Sequence, residues 1–248
     1  MKNTKHLLLA TLILFGFVGN LLSESNSAIQ PVPRLDKFWD NHNRGSQGWV
    51  ERHGKILVRN QKGPVDLIFL GDSITHAFDN LDSGFRVWQR DFAKWNPVNM
   101  GFGGDKTEHV LWRIDHGALD NISPKAAVVM IGTNNARANS PEQIAEGVFA
   151  VCHSIHEKLP DTQVLLLAIF PRNDPDDERR STVEKTNAIL KKADLGKWMT
   201  YLDIGSAFLN DEGVITQEIM PDLLHPSAKG YELWSAAMLP TLKGLMEE

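Results

Sequence analysis

Cysteine is nearly absent from this 248-residue chain: Cys152 stands alone. One thiol excludes an internal disulfide, so stability has to come from core packing. Cys152 lies on the apolar side of a predicted helix and is read as a small buried hydrophobe. A large charge of either sign is also missing. The formal net charge is −5, with acidic and basic residues mixed along the chain, which gives no reason to expect nucleic acid or an anionic membrane as a partner. There is no His-Glu-x-x-His, no paired cysteine motif, no internal repeat and no low-complexity stretch. No metal and no other cofactor is expected.

No apolar run is long enough for a comfortable membrane span. The longest, Leu7 to Val18, follows Lys2 and Lys5 and precedes small residues from Ser23 to Ala28. That order is the layout of a secretory signal peptide, with Ser25, Ser27 and Ala28 all open as cut sites and a retained anchor as the competing reading. The expected location is therefore secreted or periplasmic, without stable membrane insertion after removal of residues 1–28. Removing Lys2, Lys5 and Glu24 leaves 24 basic and 30 acidic residues, a net charge of −6. About 220 residues remain, enough for one domain with a full core.

Residues 29–64 read as a polar, irregular N-terminal extension packed on the core. Trp39 and Trp49 are its expected anchors, with one or two helices between Phe38 and Arg59. From residue 65 to 248, strand and helix alternate. Strands read at Asp66–Leu70, Pro97–Met100, Ala126–Ile131, Gln163–Ile169 and Met199–Leu202. Helices read at Gly84–Lys94, Thr107–Ile114, Pro141–Leu159, Ser181–Ala193 and Ser227–Leu245. The third helix has the clearest start: Ser140-Pro141-Glu142-Gln143 is a capping box with proline at the first helical position. Strands separated by helices imply right-handed βαβ units and a parallel sheet covered on both faces. The polar stretch Arg172–Arg180 reads as an exposed loop. Its Asp174, Asp176 and Asp177 lack the glycine and glutamate of a calcium loop.

Four segments at element ends carry reactive groups. Gly71-Asp72-Ser73 follows the first strand, where open α/β sheets keep their ligand crevice. Taken alone, Asp72 and Ser73 read equally as a helix N-cap. The glycine-rich Asn99–Asp105 follows the second strand and permits close backbone approach to a ligand. Lys106 stands where a dinucleotide fingerprint needs its last glycine, so an oxyanion site fits better than a phosphate site. Gly132-Thr133-Asn134 follows the third strand, and its amide can donate into the crevice. Asp222-Leu223-Leu224-His225 precedes the last helix, and this spacing lets the carboxylate hold one ring nitrogen while the other faces a serine. Each segment alone is weak; all four in this order are specific. Among the other histidines, His76 sits near Ser73 without an evident orienting carboxylate. His109 reads as a packing or hydrogen-bonding residue, and His153 and His156 as surface residues.

On these residues the chain resembles the SGNH or GDSL-type serine esterases over essentially all of 65–245. Gly71-Asp72-Ser73 is similar to the first block of that family, with Ile74 in place of its leucine. Gly104, Gly132-Thr133-Asn134 and Asp222 with His225 are similar to the later blocks. Asn99-x-Gly-x-Gly-Gly-Asp105, His109-Val-Leu-Trp-Arg113, residues 131–135 and Pro171-Arg172 resemble the catalytic subunits of intracellular platelet-activating-factor acetylhydrolase, although a leader is a departure from that subgroup. The Gly-x-Ser-x-Gly elbow of α/β-hydrolases is absent, because Thr75 replaces its second glycine.

The resemblance implies a flavodoxin-like three-layer α/β/α sandwich with a mainly five-stranded parallel sheet. It implies Ser73 as nucleophile, His225 as base and Asp222 as its orienter. The oxyanion hole would be formed by the Ser73 and Gly104 N–H groups and the Asn134 amide. A homodimer is expected from the same subgroup. Ile74, His76, Trp112 and Leu224 are expected to line the substrate pocket. The expected activity is serine carboxyl-ester hydrolysis of a small-molecule or glycan ester, with short acyl groups such as acetate removed from a carbohydrate or lipid head group. A lysophospholipase or thioesterase on the same fold, and a binding module without turnover, are the alternatives.

Overall fold

The structure, a computed structural model, describes residues 25–35, 46–193 and 196–247. Residues 1–24 of the expected signal peptide (1–28) and the Trp39 anchor lie outside them. Five strands form one all-parallel sheet in the order β2-β1-β3-β4-β5. They are β1 (Leu67–Gly71), β2 (Pro97–Gly101), β3 (Ala126–Met130), β4 (Gln163–Leu167) and β5 (Met199–Leu202). Each lies within two residues of its expected bounds.

The helices are α1 (Ser46–Asn60), the single turn α2 (Ser73–His76), α3 (Phe85–Val87), α4 (Thr107–Asp115), α5 (Pro141–Lys158), α6 (Glu178–Leu190) and α7 (Ala228–Glu247). Alternation along the strands sorts the core into two layers. Ile68, Leu70, Val98, Met100, Val129 and Leu166 face the side covered by α1, α4, α5 and α6. Leu67, Phe69, Val128, Met130, Leu165 and Leu167 face α2, α3 and α7. The inner strands β1, β3 and β4, buried on both faces, read as near-continuous apolar runs, whereas the edge strands β2 and β5 carry Asn99 and Thr200. The result is the expected α/β/α sandwich. Cys152 is wholly buried on α5, and burial pushes its thiol up to about 12.

Three expectations need adjustment. The helix expected at Gly84–Lys94 is α3 followed by a π turn, Trp88–Phe92, and a 3₁₀ turn, Ala93–Trp95. The wide turn accompanies a crowded aromatic cluster, in which Trp88 and Phe92 both pack on Phe69 with ring centroids 5.1 and 5.0 Å away. Next, α6 begins three residues earlier than expected, because the Asp177 side chain accepts a hydrogen bond from Arg179 N and caps it. Finally, Arg172–Arg180 is not uniformly exposed, since Arg172 and Arg180 are buried. Arg172 donates to the Thr133 carbonyl and hydroxyl at 2.8 and 3.0 Å, and Arg180 donates to the Gly213 carbonyl at 2.8 Å. Charge predicts exposure only where no acceptor waits inside.

The described parts of residues 25–64 pack against the sandwich. Trp49 on α1 is fully buried against Phe102 and Trp112. Earlier in the chain, Ala28 is also fully buried, and its carbonyl accepts a hydrogen bond from Thr107 Oγ1 at 2.7 Å. Asn26 donates to the Gln143 carbonyl and to Glu146 on α5. Residue 28 thus falls inside a packed segment. Among the described residues no helix is long and apolar enough to cross a membrane.

Candidate active site

The chain passes from β1 to β2 on one side and then crosses back over β1 to β3 on the other, so the crevice opens between the carboxyl ends of β1 and β3. Gly71 ends β1. A Cβ there would overlap Thr75 and the Met130 carbonyl, which makes glycine the residue that permits the tight turn into α2. Asp72 then caps α2, its Oδ1 accepting from Ile74 N at 2.9 Å. Ser73 is the first helical residue, so capping and reactive geometry belong to neighbouring residues and do not compete.

Ser73 Oγ lies 2.8 Å from His225 Nε2, and His225 Nδ1 lies 2.6 Å from Asp222 Oδ2. An ionised carboxylate only accepts, so Nδ1 donates to it and Nε2 is left to accept from the serine hydroxyl. Asp222 Oδ1 also accepts from His225 N at 2.7 Å and from Leu224 N at 3.1 Å. Burial raises the Asp222 pKa, but the hydrogen bonds from His225 and Leu224 and the His225 charge together outweigh it, and the net shift is downward, which keeps Asp222 ionised. The tight wrap requires Leu223 to adopt a left-handed backbone, φ 58°. Its carbonyl accepts from Asn173 N at 2.7 Å, which ties the loop to the segment after β4.

The second wall is the loop Phe102–Lys106. Phe102 N donates to the Gly71 carbonyl at 3.0 Å, joining the loop to the end of β1. Gly103 N donates to His76 Nδ1 at 3.3 Å. Burial, with the nearby charges of Arg52 and Arg113, lowers His76 to about 3, so the ring stays neutral and able to accept. Gly104 has φ 69°, a conformation glycine adopts freely. Asp105, fully buried, accepts from Trp49 Nε1 at 2.7 Å and from Arg113 Nε at 3.0 Å. The Asp105 carbonyl accepts from the Asn134 side chain at 2.9 Å. Asn134 lies on a 3₁₀ turn directly after β3, with Gly132 at φ 124°. Neighbouring Asn135 is buried, accepting from Thr107 N and donating to Glu108 Oε2 at 2.9 Å. Among the described residues, neither Ser73 N nor Gly104 N has an intramolecular acceptor. Two backbone donors without an acceptor among the described residues, and one amide with a second hydrogen, thus lie on the segments that follow the adjacent strands β1, β2 and β3, and Ser73 on the first of these has a base beside it. Such an arrangement can form an acyl-enzyme and stabilise the oxyanion on the way.

Of the residues expected to line a pocket, Leu224 is partly buried and sits in the His225 loop. The other three have different work. Ile74 is buried in the core against the α7 side, and its carbonyl accepts from Tyr231 OH at 2.5 Å. Trp112 faces α1, with its ring 5.3 Å from Trp49 and stacked on His116 at 3.7 Å. Chain proximity suggests both as pocket walls, but Ile74 packs into the core and Trp112 packs toward α1. His76 reaches the glycine loop and holds Gly103 N. His109, as expected, is a hydrogen-bonding residue, accepting from Lys106 N at 3.1 Å. His156 stacks on Trp198 at 4.3 Å and His153 lies 5.3 Å from the same ring. Among the described residues no group of three His, Cys, Asp or Glu is placed to hold a metal.

Sequence reading missed the supports of the glycine loop: Arg34, Arg52, Asp105 and Arg113. Arg52 on α1 donates to the Gly101 and Asn99 carbonyls at 2.8 and 3.2 Å and pairs with Asp79 at 2.8 Å. Arg113 also lies 4.0 Å over the Phe102 ring. Its spacing of eight from Asp105, two helical turns, was the available signal.

A sequence model described as the GDSL-like Lipase/Acylhydrolase family matches residues 69–233. The chain is 31% identical over 207 residues to the platelet-activating factor acetylhydrolase IB subunit alpha2 of Rattus norvegicus, covering 83% of this chain and 88% of that one. It is 30% identical over 209 residues to the alpha1 subunit of Homo sapiens, covering 84% and 86%. A solved GDSL-like lipase from Bacteroides thetaiotaomicron shares the fold with a TM-score of 0.62 at 16% identity, over 77% of this chain and 97% of that one.

Proposed function

Because the chain belongs to the GDSL-like lipase/acylhydrolase family and is a carboxylic ester hydrolase, we propose that Ser73, His225 and Asp222 carry its reaction, on short-acyl esters. Ser73 Oγ attacks the ester carbonyl carbon while its proton passes to His225 Nε2. Asp222 holds the ring through Nδ1 and stabilises the imidazolium. The carbonyl oxygen becomes an oxyanion that accepts from Ser73 N, Gly104 N and Asn134 Nδ2. Collapse of this intermediate breaks the bond to the alcohol, which leaves with the proton from His225. Water, deprotonated by the same nitrogen, attacks the acyl-serine; the second collapse releases the carboxylic acid and returns the proton to Ser73.

The observation that carries this reading is the unbroken chain of short contacts, 2.8 Å from Ser73 to His225 and 2.6 Å from His225 to Asp222. Labelling with a serine-reactive fluorophosphonate tests it. Wild type should label and thereby lose turnover, whereas Ser73→Ala should remain folded, take no label and show no turnover. Full turnover by a folded Ser73→Ala protein would end the proposal.

The acyl group is assigned as acetate or one of similar size. The relatives are named acetylhydrolases, and no long apolar insertion separates the motifs that could enclose an alkyl chain. The alcohol side is a small carbohydrate or lipid head group. Export is part of the same reading, supported by Lys2, Lys5 and the apolar run Leu7–Val18. Cleavage is placed before Asn26, since a cut after Ala28 would discard the contacts that Asn26 and Ala28 make with α4 and α5. N-terminal sequencing of the exported protein checks this; a first residue beyond Asn26 would refute the proposal.

A further inference from the structure

Arg34 stands far from every motif, yet it is 3% exposed and reaches the glycine loop. Its guanidinium donates to the Gly103 carbonyl, and both terminal nitrogens lie where a Cβ on Gly104 would sit. The segment that delivers it is anchored at several points. Asn26 binds α5, Ala28 is buried with its carbonyl held by Thr107, and Val32 N donates to the Glu108 carbonyl at 3.3 Å. This short strap crosses the N-terminal ends of α4 and α5 and ends on the loop.

The Gly103 carbonyl and the Gly104 N–H belong to one peptide group. No peptide in the described chain is cis, so the two bonds point in opposite directions across a rigid plane. Fixing the carbonyl fixes the N–H. A cationic donor on that carbonyl also polarises the peptide and strengthens its N–H as a donor. On the other side, Gly103 N is held by His76 Nδ1. The Gly104 N–H itself has no acceptor among the described residues.

We propose that Arg34 is a positioning residue for the oxyanion hole, orienting and polarising the Gly103–Gly104 peptide so that its N–H meets the developing charge. This rests on the assignment of Gly104 to the hole. It makes the strap before α1 part of the working site and not a detachable extension. Gly104, with its left-handed backbone, leaves room for the guanidinium that a side chain at this position would have to displace.

Arg34→Met and Arg34→Lys test it, each assayed for kcat and KM on p-nitrophenyl acetate, for the Kd of phenylboronic acid and for Tm. The boronate forms a tetrahedral anion on a nucleophilic serine and so reports on the hole without turnover. Arg34→Met should lower kcat about ten- to hundredfold, the scale of a misoriented reacting group, with KM within about twofold. The boronate Kd should weaken in parallel, and Arg34→Lys, keeping a cationic donor, should recover most of both losses. Unchanged kcat and boronate affinity in Arg34→Met, or a change confined to KM, would overturn the role. If Arg34→Met fails to fold, Arg34→Lys decides by the same readouts. A smaller loss of kcat tracked by boronate affinity supports the role, and a loss of Tm alone refutes it. Ser73→Ala run alongside separates the two proposals: activity there removes the reaction itself, whereas an inactive Ser73→Ala with an unaffected Arg34→Met removes only this one.

Discussion

The Asn134 side chain donates one hydrogen to the Asp105 carbonyl at 2.9 Å. It thereby joins the turn after β3 to the loop after β2. An amide nitrogen has two hydrogens. The first fixes the side chain and leaves the second outside that bond. Asp105 is itself held by Trp49 and Arg113, so the orientation of Asn134 is traceable to α1 and α4. Supports of this kind are what allow a donor to act without reorganisation at the moment of reaction.

Asn134→Ala should therefore lower kcat by about 10²–10³, or roughly 3–4 kcal/mol, with little change in KM. Steady-state kinetics on p-nitrophenyl acetate measure both. A variant altered in KM alone would make Asn134 a substrate-binding residue.

Asp222→Asn keeps the shape of the loop but offers His225 Nδ1 a donor as well as an acceptor. The wrong ring tautomer then becomes accessible and Nε2 can lose its role as base. By analogy with serine protease triads the loss in kcat should approach about 10⁴ near neutral pH. Near-normal turnover would move the orienting role to another carboxylate, with Asp72 the first to examine.

Asp72 also predicts a pH dependence of stability. It is fully buried, its Oδ2 has no hydrogen-bond partner among the described residues, and burial raises its pKa from 3.8 to about 7. The native state then keeps a proton that the unfolded chain releases above pH 3.8. Stability should fall as pH rises from about 4 to about 7, and the penalty is complete above that window. Asp72→Asn cannot ionise yet retains an acceptor for Ile74 N. Its stability relative to wild type should rise between pH 5 and pH 8, by on the order of 1–3 kcal/mol. Urea unfolding of both proteins at the two pH values measures this, and a difference that does not move with pH would refute it.

Chain-length preference tests the short-acyl assignment. In a deep apolar site each buried CH₂ contributes about 0.8 kcal/mol, and kcat/KM climbs with length. The connection after β4 is charged, with Arg172 and Arg180 turned inward onto carbonyls, and offers an alkyl chain little to bind. A fall in kcat/KM from C2 through C4 to C8 p-nitrophenyl esters, measured below their micellar concentrations, is expected. A maximum at C8 or longer would move the assignment to a lipase.

Strand–helix alternation and the four motifs were legible in the chain because they are local properties. A buried parallel strand must be apolar on both faces, and Gly71, Gly132 and the Ser140 capping box act within a few residues of themselves. Asp222 and His225 could be paired from a spacing of three. What no window of sequence contains is the distance from Ser73 to His225 across 152 residues, or the packing that takes Ile74 into the core and Trp112 toward α1. Arg34 and Arg52 were equally illegible, and Arg113 nearly so despite its spacing from Asp105, since a buried arginine is marked in sequence by charge and charge argues for the surface. Only the packed fold supplies the carbonyls and carboxylates that let them stay inside, because a cation leaves water only where acceptors from other elements replace it.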